Sequence, residues 1–336
     1  MRGWAGWVIL GWLAGAVCLM PGAACAAAPV ARLTAVRVNS QECYDLARWG
    51  RAQALRMTVN RESREVRLTN RYTRLDLALG SRLATINGVK AWLSVPLAAR
   101  DNDVFVSVLD VRTTFEPVLQ PVRLKAGRKV RTVVLDPGHG GRDPGYRVGD
   151  REEKTHTLLL ALRLKTLLSE AGFKVVLTRS GDTTVDLNER AAIARRARGD
   201  VLLSLHYNAA APGNKDAKGV EVYCITPAGA VSTNVDPSEP GSTRAVPGNQ
   251  ANSRSALLAY QVQKAMVRSL PVEDRGLRRA RFQVLRSTEI PAVLIEGGFM
   301  SCPDEAKRIF NINQRTELAR AIVDGVLAYK RLVERK

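Results

Sequence analysis

Between residues 130 and 334, strand-like apolar runs alternate with segments of helical periodicity. This pattern predicts an α/β fold built on a mostly parallel, twisted sheet with helices on both faces. Ahead of it, residues 30–118 show short two-residue alternations of apolar and polar side chains, which predict a small, mainly β domain. A stretch over 119–129 containing Pro121, Gly127 and several basic residues reads as the linker between the two.

The first residues have a different character. After Arg2 no charge occurs until Arg32, and Trp7 to Met20 is continuously apolar. This run falls short of the about 20 residues that span a bilayer comfortably. Pro21-Gly22 and Ala24-Cys25-Ala26 follow it, a small-x-small cleavage pattern. Residues 1–26 therefore read as a signal peptide, which predicts export to the periplasm or cell exterior with no integral membrane segment after cleavage.

In the β-rich segment, Met57-Thr58-Val59, Glu65 to Thr69, Arg74 to Leu77 and Arg82 to Ile86 alternate as half-buried strands do. Asn87-Gly88 is a hairpin signal, with Ala91-Trp92-Leu93 on the returning strand. The segment contains no histidine and no acidic cluster, so no chemistry is expected of it.

Beyond the linker, Thr132 to Leu135, Lys174 to Leu177, Val201 to Leu205, Val220 to Tyr223 and Ala292 to Ile295 read as strands. Leu158 to Leu168, Leu187 to Arg198, Ser255 to Leu270 and Thr316 to Val333 read as helices. The Pro-, Gly- and Ser-rich stretch from Thr226 to Asn252 is too long for an ordinary connection and is expected to be a surface loop or insertion.

The net charge of +19 suits an anionic polymer or surface. Lys and Arg are scattered rather than interleaved with aromatic residues, and the leader points to export, so nucleic acid is not the expected partner. Cleavage after Ala26 would leave Cys43, Cys224 and Cys302, an odd number with no Cys-x-x-Cys spacing. Neither a complete disulfide framework nor a cysteine metal site follows.

The chain has three histidines, and two of them occupy matching positions. His139 follows the strand 132–135 in "LDPGHGG", and His206 follows the strand 201–205 in "LLSLHYN". Sites in open α/β sheets form beyond the carboxyl ends of the strands, so these two side chains can converge on one metal ion. A zinc site needs a third protein ligand. Glu153 is a candidate at the start of the next helix. An acid at a helix N-terminus can equally serve to offset the dipole, and Glu152 fits as well as Glu153 on spacing alone. Glu296 ends the apolar strand 292–295 ahead of Gly297-Gly298, where a desolvated carboxylate would have the raised pKa of a general base. No Ser or Cys nucleophile with a histidine to spare is visible, which argues against acyl-enzyme chemistry. His156 lies one turn from Glu153 on the helix face of Leu160 and Leu164 and reads as a packed helix residue.

Residues 130–334 resemble the catalytic domain of the zinc-dependent N-acetylmuramoyl-L-alanine amidases. The matching stretches, in order, are "VVLDPGHGGRDPG", Glu153-Lys154, "VVLTRSGDTTVDLNERAAIA", "VLLSLHYNA", "GVEVY", "RGLRRARFQVLRSTEIPAVLIEGGFMS" and "LARAIVDGV". The resemblance implies a zinc ion (Zn2+) held by His139, Glu153 and His206, with Glu153 chosen over Glu152 because it directly precedes the lysine. It implies Glu296 as the catalytic acid, and peptidoglycan, cut between N-acetylmuramic acid and L-alanine, as the substrate. Some relatives are released from inhibition by an activator protein, so such a partner is part of the expectation. Arg190 and Asn208 fall in matched motifs without an assigned role. Cys302 and His156 depart from the usual Asn and aliphatic residue. The N-terminal segment, through "INGVKAWL" and "VFVSVLDV", resembles the small β domain at the N-terminus of copper amine oxidases, which implies a targeting or spacer role. The competing readings are an exported zinc peptidase acting within the stem peptide and a non-catalytic wall-binding regulator.

Overall fold

The computed structural model describes residues 33–235 and 243–334, so the expected signal segment 1–26 and Cys25 lie outside it. Leu33 onwards forms one compact unit. Among the described residues no helix is long and apolar enough to cross a membrane.

The described residues open with β1 (Val36–Val38), β2 (Gln41–Asp45) and α1 (Leu46–Ala52), the last capped by the Asp45 carboxylate accepting from the Arg48 N–H. A five-strand antiparallel meander follows: β3 (Arg56–Asn60), β4 (Glu65–Thr69), β5 (Arg74–Ala78), β6 (Leu83–Ile86) and β7 (Val89–Trp92). Its alternation is the one read from the sequence. Val66, Leu68, Leu75, Leu77, Ala84, Ile86, Val89 and Ala91 are buried, while the residues between them face outward. Asn87 and Gly88 turn β6 into β7 with φ of +48° and +83°. Next come β8 (Ala98–Arg100), β9 (Asp103–Ser107), α2 (Val108–Asp110), a π-helical turn at Val111–Phe115 and α3 (Glu116–Leu119). β1, β2, β9 and β8 form a separate four-stranded sheet.

The second half supplies β10 (Thr132–Pro137), the short hairpin β11 (Arg147–Val148) and β12 (Arg151–Glu152), α4 (Glu153–Glu170), β13 (Lys174–Leu177) and α5 (Leu187–Arg196). It continues with β14 (Val201–Asn208), β15 (Val220–Ile225), α6 (Asn252–Ser269), β16 (Asp274–Ala280) and α7 (Gln283–Arg286). It ends with β17 (Ala292–Phe299), α8 (Pro303–Phe310) and α9 (Ile312–Glu334). β13, β10, β14 and β17 run parallel, β15 is antiparallel to β17, and β16 is parallel to β15. The stretch expected as an insertion keeps part of its length close: Thr226 and Ser232 are buried, and the Thr233 N–H donates to the Arg279 carbonyl. Residues 236–242 of it lie outside the described set.

Strand periodicity divides the central sheet between two cores. Val133, Leu135, Leu203, Leu205, Val293 and Ile295 join α4, α6 and α9 on one face. Val134, Leu202, Ala292 and Leu294 join α5 and α7 on the other. Helices on both faces explain why these strands read as unbroken apolar runs.

The meander continues this sheet. β7 lies parallel to β16 with Leu277 beside Ala91, giving one eleven-stranded sheet in the order β13-β10-β14-β17-β15-β16-β7-β6-β5-β4-β3. The join carries side-chain bonds: the Lys90 N–H donates to Asp274, Trp92 Nε1 to the Arg275 carbonyl, and the Tyr260 hydroxyl to the Ile86 carbonyl. Arg279, fully buried, reaches Thr113 and Thr114 in the π-helical turn. The connection over 119–129 packs along α9, where the Leu124 N–H donates to the Val333 carbonyl.

Candidate metal centre

The centre is assembled at the carboxyl ends of β10 and β14 and the first turn of α4. A buried charge network fixes the loop after β10. Asp136 Oδ1 accepts from Thr178 Oγ1 at 2.6 Å and Arg190 Nη1 at 2.7 Å, and its Oδ2 accepts from Ser204 Oγ at 2.8 Å. Arg190 also donates to the carbonyls of Pro137 and His139. Arg179 donates to the carbonyls of Pro137, Gly138 and Lys154. Two buried guanidinium groups thus satisfy carbonyls that a loop leaves unpaired, and they hold His139 at φ +60°, an uncommon backbone state for a non-glycine residue.

Within this frame His139, Glu153 and His206 converge, their ligand atoms all within 4.8 Å of one another. Glu153 Oε1 lies 3.0 Å from His139 Nε2 and 3.1 Å from His206 Nδ1. The Tyr207 N–H donates to the same oxygen, and the Tyr146 N–H to Oε2. Asp143 Oδ2 sits 2.7 Å from His139 Nδ1, leaving Nε2 to face the centre. There is no room for larger residues. A Cβ on Gly138 would stand 2.2 Å from the His206 ring, and one on Gly145 2.6 Å from Glu153 Oε2. Burial alone would raise the Glu153 carboxyl, but the bonds and charges of the two histidines outweigh it and hold the group well below the usual carboxylate range. Burial works against protonation of His139, and Glu153 and Asp143 reverse it, raising its pKa.

The donor set suits zinc. Two imidazole nitrogens and one carboxylate oxygen are borderline ligands, and three protein donors are what a catalytic zinc site uses. Tetrahedral bonds of about 2.0–2.1 Å place ligand atoms roughly 3.3 Å apart, close to the two His–Glu separations above.

Glu296 is next to His206 across the β14–β17 ladder and next to Glu221 across β17–β15. Its Oε2 is buried without a hydrogen-bond partner. Burial pushes its carboxyl well above the usual range, and the charges of Glu153 and Glu221 add to the effect. Glu221, by contrast, is well satisfied: it accepts from Asn208 Nδ2, the Tyr223 hydroxyl and Arg275 Nε, and Arg278 Nε lies 2.8 Å away.

All four side chains singled out in the sequence therefore meet at one end of the sheet. Glu152 instead points to Arg147 and Lys154. His156 is buried against Phe310, ring centroids 4.6 Å apart, with Nδ1 unpartnered. Cys43, Cys224 and Cys302 are all buried and free. Arg190 supports the loop and Asn208 orients Glu221. Asp143 and Arg179 went unremarked in the sequence. Both stand in the matched motifs, yet their partners are a ring nitrogen and main-chain carbonyls that no spacing reveals.

Known proteins share this arrangement of sequence. The chain is 36% identical over 204 residues to the probable cell wall amidase LytH of Staphylococcus epidermidis, covering 60% of this chain and 59% of that protein. It is 31% identical over 233 residues to N-acetylmuramoyl-L-alanine amidase AmiA of Escherichia coli, covering 62% and 79%. It matches the crystal structure of an N-acetylmuramoyl-L-alanine amidase from Clostridium difficile 630 at 36% identity and a TM-score of 0.50, covering 60% of this chain and 97% of that one. The match thus spans about three-fifths of the length of the staphylococcal relative. Residues 133–328 fit the model of the N-acetylmuramoyl-L-alanine amidase family, and the chain belongs to that family.

Proposed function

We propose that this protein is an exported, zinc-dependent N-acetylmuramoyl-L-alanine amidase that cleaves the amide between N-acetylmuramic acid and L-alanine in peptidoglycan. The observation that carries the reading is the convergence of His139, Glu153 and His206 beside a buried, unpartnered Glu296. His139, Glu153 and His206 would hold the ion. When bound, zinc supplies Lewis acidity for the scissile carbonyl and for the attacking water.

The chain's own groups do the rest. Asp143 fixes the His139 tautomer, and the Tyr207 and Tyr146 amides fix both oxygens of Glu153. Glu296 is the proton carrier. It takes a proton from water as the lactyl carbonyl of N-acetylmuramic acid is attacked, then passes it to the departing L-alanine nitrogen. Its raised pKa suits both halves of this exchange. The C–N bond breaks and water's oxygen joins the carbonyl carbon, with no covalent enzyme intermediate. Family membership, the apolar leader and the basic charge support the cell-envelope setting.

The test is digestion of peptidoglycan by the purified protein, with and without a chelator, followed by mass spectrometry of new termini. Stem peptides with a free L-alanine amino group, lost on chelation and restored by zinc, are expected. Cleavage at another amide would keep the metal chemistry and replace the substrate assignment with that of a peptidase. No cleavage by the folded, zinc-loaded chain, with or without an activator protein, would leave a wall-binding role.

A further inference from the structure

The sheet face that carries His206 and Glu296 does not end at the metal centre. Neighbour follows neighbour across the ladders: Glu296 lies beside Glu221, Tyr223 beside Arg278, Ala91 beside Leu277, Thr85 beside Lys90, Asp76 beside Thr85, Arg67 beside Asp76 and Thr58 beside Arg67. Because alternate residues face opposite sides, His206, Glu296, Glu221, Arg278, Lys90, Trp92, Thr85, Asp76, Arg67 and Thr58 share one side of the sheet. On the other side the meander buries its apolar residues in the core common to α4, α6 and α9.

Three properties of this strip point to an occupant. The first is adjacency to the candidate site: Arg278 stacks over Trp92 at 4.7 Å and lies 2.8 Å from Glu221, itself buried, which neighbours Glu296. The second is charge. Arg56, Arg67, Arg74, Lys90 and Arg278 stand on the strip against Glu65, Asp76 and Glu221; Arg67 and Arg74 share Asp76 and Arg278 pairs with Glu221, which leaves a modest cationic excess on a chain of net charge +19. The third is extent. Eight strand-to-strand steps separate β14 from β3, roughly 40 Å at about 4.8 Å each, which is a length for a polymer rather than a single small substrate. Near the far end lies a hollow of 480 Å³ lined in part by Thr58, Arg67, Asp76, Leu83 and Thr85. Hydroxyl, carboxylate, guanidinium and apolar groups there suit a polyhydroxylated chain bearing anionic side groups.

We infer that this strip is a track for an uncut peptidoglycan strand, along which the N-terminal meander holds glycan and neighbouring anionic stem peptides while one stem enters the metal centre. The inference rests on the peptidoglycan reading above. It assigns the meander a role in grip on the polymer, exerted from within the catalytic sheet itself.

Sedimentation with insoluble peptidoglycan tests it, using the full chain carrying Glu296→Gln to prevent turnover. In that background Arg67→Gln with Lys90→Gln should raise the half-saturating concentration about tenfold. Arg320→Gln with Arg331→Gln, an equal charge change on the exposed side of α9, should leave it within about twofold. Thermal melts check folding, and Thr85→Glu, which leaves the cations in place, should weaken sedimentation if the double variant melts early. Unaltered binding of the strip variants would overturn the track. So would equal weakening by the α9 pair, which would mean charge attraction alone, or failure of the parent chain to sediment. Release of L-alanine-initiated peptide from a short soluble muramoyl-peptide by the active chain reports on the metal centre alone, so the two readings fail separately.

Discussion

Within β10 and β14 the face toward α5 and α7 changes from Val134 and Leu202 to Asp136, Ser204 and His206 in the space of one strand. In β4 and β5 the alternation holds throughout: Val66, Leu68, Leu75 and Leu77 are buried, and Arg67 and Asp76 pair at the surface. The two regions belong to one sheet, yet one buries charge and the other keeps it wet. The difference shows where the molecule accepts destabilising features. Polar groups buried among α/β strands are costly unless fully bonded, and here the bonds are made by Arg179 and Arg190 to a single loop. Among the described residues the one buried carboxylate oxygen without a hydrogen-bond partner is Glu296 Oε2, beside the candidate metal centre.

This contrast can be broken most severely at Glu296. Glu296→Gln is expected to lower turnover by about 10²- to 10⁴-fold while zinc stays bound, whereas His139→Ala should lose metal as well. Metal analysis beside a peptidoglycan assay checks both; near-normal turnover in Glu296→Gln would remove its assigned role. In the chelated protein the same glutamine should also be stabilising. A carboxyl raised in the folded state costs stability as pH climbs from the ordinary carboxylate range toward its folded pKa. The gain in melting temperature should therefore be larger at pH 7 than at pH 4.

Arg190→Met tests the buried network. It strands the Asp136 carboxylate, and an uncompensated buried charge costs about 3–5 kcal/mol, measurable by urea denaturation. A loss below about 1 kcal/mol would show that Thr178 and Ser204 suffice to hold Asp136.

His156 gives a smaller, pH-dependent effect. Burial, with Arg315 and Arg151 nearby, lowers its pKa to about 4. The folded state keeps the ring neutral while the unfolded chain protonates it below about 6.5, so stability is full above that pH and falls as pH drops toward 4, by about 1–2 kcal/mol once solvent screening is allowed for. His156→Leu should flatten this part of the urea-midpoint profile between pH 7 and 4.5. An unchanged slope would place the acid sensitivity elsewhere.

The smallest effect belongs to the meander. Asn87 sits at φ +48° and accepts from the Arg74 N–H through Oδ1. Asn87→Ala should cost about 1–2 kcal/mol of stability. A loss above about 3 kcal/mol would mean that this hairpin tip supports more of the join to β16 than its position suggests.

Most of the site was legible because its residues interrupt patterns. Histidines after apolar strands and a glutamate between "AVLI" and "GGF" are visible as departures. The meander was legible because it makes none. The pattern of β16, "DRGLRRA", carries no apolar alternation that marks a strand. Of its three arginines, Arg278 stacks on Trp92 and Arg279 is buried against the π-helical turn, arrangements that only tertiary contacts create. The start of α4 at Glu153 is the one expected from the sequence, although apolar periodicity alone begins only at Leu158, because the first turn carries the polar residues Glu153, Lys154 and Thr155. Nor does periodicity name a strand's neighbour, so the pairing of β7 with β16 across a long sequence separation could not be read in advance.

That pairing bears on how the protein comes to be folded. The meander is synthesised early, but the edge of β7 stays open until residues 274–280 are made, and the Lys90–Asp274 bond alone closes a separation of 184 residues. Closing so long a loop early is entropically unfavourable, and exposed strand edges invite wrong pairing. Maturation of the N-terminal half thus waits on the C-terminal half, and a chain cut short before β16 would present an unpaired β7 edge to its neighbours.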